Sequence, residues 1–283
     1  MRAPVEPLPA PDREDSLAAL GRLVPRALGP LFLDKAGQIL LSTVVLILLW
    51  GAHGRCELLR LALPGWTGPG SDPRARSRFI PWVPWDHELI SFALGALLLV
   101  VVPMALVKLV FREPLAAYGL GLPPAGRRCA ARWVFALLLV LSLPAFWAFA
   151  HDPEFQRVYP FYRRFAGWGE FAAYEVTYIA FFVAIEFIFR GYLLFGLAGT
   201  PLGRAGSRFA GQRDLPGFAL LIQMLPYTAW HLGKPTAELW GTLFWGFASG
   251  LGAWAARSIW PVVAAHWLLN VFMDALIWRA NGG

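Results

Sequence analysis

Seven stretches of this chain, 36–52, 89–110, 130–150, 171–196, 217–232, 239–256 and 259–278, run long and apolar with few charges, and most reach the length needed to cross a hydrocarbon core as helices. A bilayer interior offers no water to backbone N–H and C=O groups, so only helices or closed barrels can span it. Apolar runs of this length read as helical spans. The expected fold is therefore all-α: a polytopic membrane helix bundle of about seven to eight transmembrane helices. The run 217–232 is short and carries Pro226, which suggests a broken or tilted helix.

Composition agrees, with 57% hydrophobic and 15% charged residues and a positive mean hydropathy of +0.52. The net charge of +7 comes from Arg residues scattered through loops, not from a basic stripe, so membrane-flanking charge explains it and nucleic acid is excluded as a partner. Loop Lys and Arg are more numerous on the N-terminal side, which places the N-terminus in the cytoplasm. Two cysteines, Cys56 and Cys129, cannot build a disulfide framework or a Cys-based zinc site and read as packing residues. Residues 1–34 read as a disordered or interfacial segment, with 16–33 as an eighth membrane-embedded candidate, and 35–283 as the membrane-embedded domain. Trp82 and Trp85, near the end of an irregular loop, suit the headgroup level. Thr242, Gly246 and Gly250, every fourth residue, form a small stripe for a close helix neighbour.

Against this background the buried polar residues stand out. Glu186 and Arg190 share one apolar run at i,i+4, the spacing of an ion pair on one helix face. A carboxylate there is costly unless paired or wetted, so a structural pair and a functional site are both open readings. His231, close to an expected span end, and His266 with Asn270 on the last helix complete the set; Asp274 continues the last stripe, and Glu175, Tyr227, Lys234 and Glu238 are accessory candidates. A glutamate can activate water, histidines can orient it or donate to an oxyanion, and an amide can complete the oxyanion site. Glu186, His231, His266 and Asn270 could equally ligate a divalent metal such as zinc, although the acyl-hydrolysis reading requires no cofactor. Taken singly, His231 is also a candidate interfacial residue and Asn270 a helix-bridging amide.

Three motifs, Ile185-Glu186-Phe187-Ile188-Phe189-Arg190-Gly191, Tyr227-Thr228-Ala229-Trp230-His231 and His266-Trp267-Leu268-Leu269-Asn270, resemble in order and spacing those of the CPBP intramembrane proteases, which include the type II CAAX prenyl endopeptidases. The resemblance spans about 130–278. It implies an intramembrane endopeptidase that uses glutamate-activated water on a membrane-anchored or C-terminally tagged protein, seated in a bacterial inner membrane. It implies Glu186 as base or partner of the base, Arg190 holding that carboxylate ionised, His231 and His266 orienting water, and Asn270 as amide donor. The first glutamate of the family's Glu-Glu pair is replaced by Ile185. A bacterial branch with the Glu-Phe-x-Phe-Arg form shares that change. The departure keeps a second reading in view, a non-catalytic relative acting in bacteriocin immunity or as a scaffold. A transporter is a third, weakened by the clustering of polar residues in the second half.

Overall fold

A computed structural model describes residues 29, 32–51, 57–66, 68–70, 79–205 and 215–282. Among the described residues there is no strand. The main helices are α1 (Lys35–Trp50), α2 (Asp86–Phe111), α3 (Arg128–Ala150), α4 (Trp168–Ala198), α5 (Phe218–Ala229), α6 (Thr236–Ala256) and α7 (Trp260–Ala280). These match the seven apolar runs in order. Among the described residues four segments are long and apolar enough to cross a membrane, the helices α2, α4 and α7 and the stretch Ala125–Ala150 that contains α3, while α1 and α5 are shorter apolar helices. The segment 16–33 and Cys56 fall almost wholly outside the described residues.

The bundle is built around α4, whose most apolar window is 78% buried, against 11% for Ala125–Ala150. A helix apolar all round belongs in the interior, and α4 packs against α1, α2, α5, α6 and α7. Helix α1 lays Ile39, Thr43, Leu46 and Trp50 inward and ends at Gly51, whose φ of 77° stops the helical path. Aromatic rings fill the space between α2 and α4, with Phe92 stacked on Tyr178 at 4.6 Å, and Trp50 at the end of α1 stacks on Trp230 after α5 at 5.2 Å. Helix α3 lies outside, touching α6 and α7.

One expectation needs correction. Cys129 is exposed rather than packed. Trp85 is buried and donates its indole N–H to Thr177 Oγ1 at 3.1 Å, because it caps the α2–α4 aromatic layer; Trp82 is exposed. The run 217–232 stops being helical at Ala229, so His231 sits in the following turn, with Gly233 at φ 86°. The small stripe does receive its neighbour. Gly246 faces Met224 and Tyr227, and Gly250 faces Gln223 and Leu220, all on α5.

Just outside the spans, Lys35 Nζ lies 2.7 Å from both Glu113 oxygens and the Tyr118 hydroxyl donates to Glu113 Oε2 at 2.7 Å, which ties α1 to the chain after α2. Partial burial works against the Glu113 carboxylate, yet the Lys35 and Tyr118 donors outweigh it and hold the group below the usual range.

Candidate active site

Glu186 closes the regular part of α4, and from Phe187 to Phe195 the same helix widens into π geometry. Such widening shifts the side-chain register and recurs where a helix carries function. Ile185 and Glu186 are neighbours about 100° apart around the axis and so look in different directions. Ile185 faces a cavity of about 700 Å3; Glu186 does not line it.

Glu186 is fully buried behind the cavity wall. Its Oε1 receives the His266 Nδ1–H at 2.6 Å, and its Oε2 lies 3.3 Å from an Arg190 NH group. Arg190 is itself fully buried and rests on the Tyr227 ring, 3.9 Å from its centroid. Since Nδ1 gives its hydrogen to the carboxylate, the second nitrogen of His266, Nε2, is the one left for the cavity, which His266 lines. Phe182 and Trp245 fix the ring from two sides, at 4.8 and 5.0 Å.

One turn along α7, Asn270 also lines the cavity while its amide N–H donates to Asp274 Oδ2 at 2.8 Å. An amide has two N–H hydrogens, so one remains for a substrate carbonyl. Asp274 is fully buried and its near neighbour is Glu175 of α4, also buried. These two carboxyls support Asn270 from behind. They do not line the cavity.

The far end of the cavity is polar. His231 Nδ1 donates to the Tyr227 carbonyl at 2.8 Å, and its Nε2 is 3.6 Å from Glu238 Oε1. Lys234 Nζ donates to the same oxygen at 3.0 Å, and the Tyr159 hydroxyl does so at 2.8 Å; Lys234 also donates to Tyr159. Burial, followed by the Glu238 carboxylate, pushes the Tyr159 hydroxyl well up, so it remains a donor. Tyr159 comes from the loop between α3 and α4 and was not visible as a site residue in the sequence. Its distance from every motif hid it; only its aromatic-rich surroundings, Phe155 to Tyr162, hinted at burial.

Of the ten residues singled out from sequence, Tyr227, His231, Lys234, Glu238, His266 and Asn270 line one cavity, Glu186 and Arg190 support His266 from behind, and Glu175 and Asp274 sit behind Asn270. A four-ligand metal set is not gathered: Glu186 faces His266 and Arg190, whereas His231 faces Glu238. Among the described residues no group of three or more His, Cys, Asp or Glu side chains is placed to hold a metal ion. The opposite wall is apolar, with Leu137 and Leu141 of α3 and Phe244 and Phe247 of α6, all exposed on the outer face.

Residues 167–272 match the family model described as type II CAAX prenyl endopeptidase Rce1-like. This stretch runs from the start of α4 through Asn270 and contains all three motifs. This part of the chain is similar to an Rce1-like domain. The match is shorter than the 130–278 stretch of the resemblance, so α3, half of the cavity's apolar wall, lies outside it. The likeness thus covers the stretch that holds the motifs, and among the described residues four segments have the length and apolarity of membrane spans. No curated protein and no solved structure matches the chain.

Proposed function

We propose that this protein is an intramembrane endopeptidase of a bacterial cytoplasmic membrane. It hydrolyses a peptide bond in a membrane-associated protein of the CAAX type or bearing a C-terminal sorting tag. The observation that carries the reading is the 2.6 Å Glu186–His266 contact behind a cavity that Asn270 and His231 share. Glu186 acts through the ring: with Nδ1–H held by the carboxylate, Nε2 takes a proton from water as that water attacks the scissile carbonyl. The carboxylate then stabilises the imidazolium that forms. Asn270 donates its spare N–H to the developing oxyanion. Arg190 keeps Glu186 ionised in an otherwise apolar interior.

The apolar wall from α3 and α6 suits a substrate segment that arrives through lipid, and the chemistry needs no cofactor. Purified protein in liposomes, given a prenylated peptide ending in a Cys-aliphatic-aliphatic-X sequence and a membrane-anchored reporter with a C-terminal tag, should release the terminal fragment of one of them. His266→Ala should lower the rate by about a hundredfold or more. Full cleavage by both Glu186→Gln and His266→Ala proteins would sink the assignment.

Ile185 favours one second reading. It stands in the cavity wall where relatives carry their first glutamate, and a non-catalytic immunity or scaffold protein would tolerate that loss. On this reading the parent cuts neither substrate and cleavage arises only after Ile185→Glu.

A further inference from the structure

His231 meets an acceptor at both ring nitrogens. The Tyr227 carbonyl is 2.8 Å from Nδ1 and Glu238 Oε1 is 3.6 Å from Nε2. A carbonyl can only accept, so Nδ1 carries hydrogen; a neutral ring would then aim its Nε2 lone pair at a carboxylate. A ring with hydrogen on both nitrogens suits both neighbours. At 3.6 Å the Glu238 contact is an ion pair and not a hydrogen bond.

Resting on the endopeptidase reading above, we propose that His231, held by Glu238, is the general acid that protonates the leaving nitrogen. The cavity then contains two carboxylate–histidine pairs with opposite tasks. His266, backed by Glu186 of α4, accepts a proton from the attacking water, whose oxygen bonds to the scissile carbon. His231, backed by Glu238 of α6, gives its Nε2 proton to the amide nitrogen as the C–N bond breaks and the oxyanion collapses. The products are a carboxylic acid and an amine, and one proton released by His266 and one taken up by His231 restore the site.

Glu238 acts through His231 and is thus a positioning residue. It is fixed by the Tyr159 hydroxyl and by Lys234, which share its Oε1. The arrangement also accounts for how a site that has Ile185 in its wall keeps a second carboxylate, supplied by α6.

An amide nitrogen needs a proton to leave, whereas a thiolate does not. The test uses the prenylated Cys-aliphatic-aliphatic-X peptide or the cleavage segment of the tagged reporter, whichever the parent cuts, and its counterpart with a thioester at the scissile bond, on parent and Glu238→Gln proteins in liposomes. The expected result is a fall of about a hundredfold or more in kcat on the amide with a change under about tenfold on the thioester. Equal losses on both substrates, or no loss on either, overturn the inference. A parent protein that cuts neither overturns the endopeptidase reading and this inference together. Thioester turnover also shows that the variant is folded.

Discussion

His266 of α7 places its Nδ1 2.6 Å from Oε1 of Glu186 on α4, across 80 residues of sequence. Around that contact the remaining polar groups divide by depth. Those facing the cavity can touch a substrate, and those behind it, Glu186, Arg190 and the Glu175–Asp274 pair, set the charge and direction of the ones in front. Each layer can be removed separately, and the consequences differ.

Glu186→Gln removes the counter-charge of a fully buried guanidinium as well as the partner of His266. Breaking one side of a buried pair destabilises by about 3–5 kcal/mol. The rate should fall by about a hundredfold or more. Adding Arg190→Met removes the stranded cation and should recover most of the unfolding midpoint in detergent while leaving the rate low. Recovery of both would make the pair purely structural.

Asn270→Ala should lower kcat by about 100- to 1,000-fold with little change in KM, the signature of a lost oxyanion donor. Asn270→Asp should do worse in a different way. It sets a third carboxyl against Asp274, which loses its 2.8 Å amide donor, so detergent stability and yield should drop together.

A Cβ at Gly250 would stand 2.7 Å from Gln223 Nε2, the group that donates to the Gly246 carbonyl at 2.7 Å. Gly250→Val should therefore cost about 1–3 kcal/mol by overpacking. Because α5 carries the turn with His231, the push should also lower the rate. A melting curve and an assay on the same sample check both; unchanged melting would mean that α5 and α6 are looser than described.

Glu113 predicts a pH effect at the edge of the bundle. Its carboxyl is held below the ordinary value by Lys35 and Tyr118 against the opposing effect of burial. A depressed folded-state value means stabilisation that is complete above the ordinary carboxylate range and lost as pH falls through the folded value. The melting temperature of Glu113→Gln should be lower than the parent's at pH 7, and the two curves should converge in acid. A constant gap down to strongly acidic pH would show that the contact works without ionisation.

Much of the site was legible because its chemistry is conspicuous in an apolar chain. A buried Glu, Arg, His or Asn has to be paired, so Glu186, Arg190, His266 and Asn270 stood out before any geometry was known. Residues whose role depends on direction were not legible. Ile185 and Glu186 are adjacent, yet one faces the cavity and the other the interior, and π widening from Phe187 to Phe195 is not a pattern that composition reveals. Tyr159 was missed because a loop tyrosine near aromatic neighbours resembles packing until Glu238 is seen beside it.

The sequence by itself determined an all-α membrane bundle with apolar runs in the observed order, since only helices satisfy the backbone of such runs in lipid. It also named the groups able to act on an amide. Tertiary structure decided their pairing. His266 went to Glu186 and His231 to Glu238, because α7 crosses α4 while the turn after α5 folds against α6, and contacts made between helices leave no trace in the spacing along any one of them.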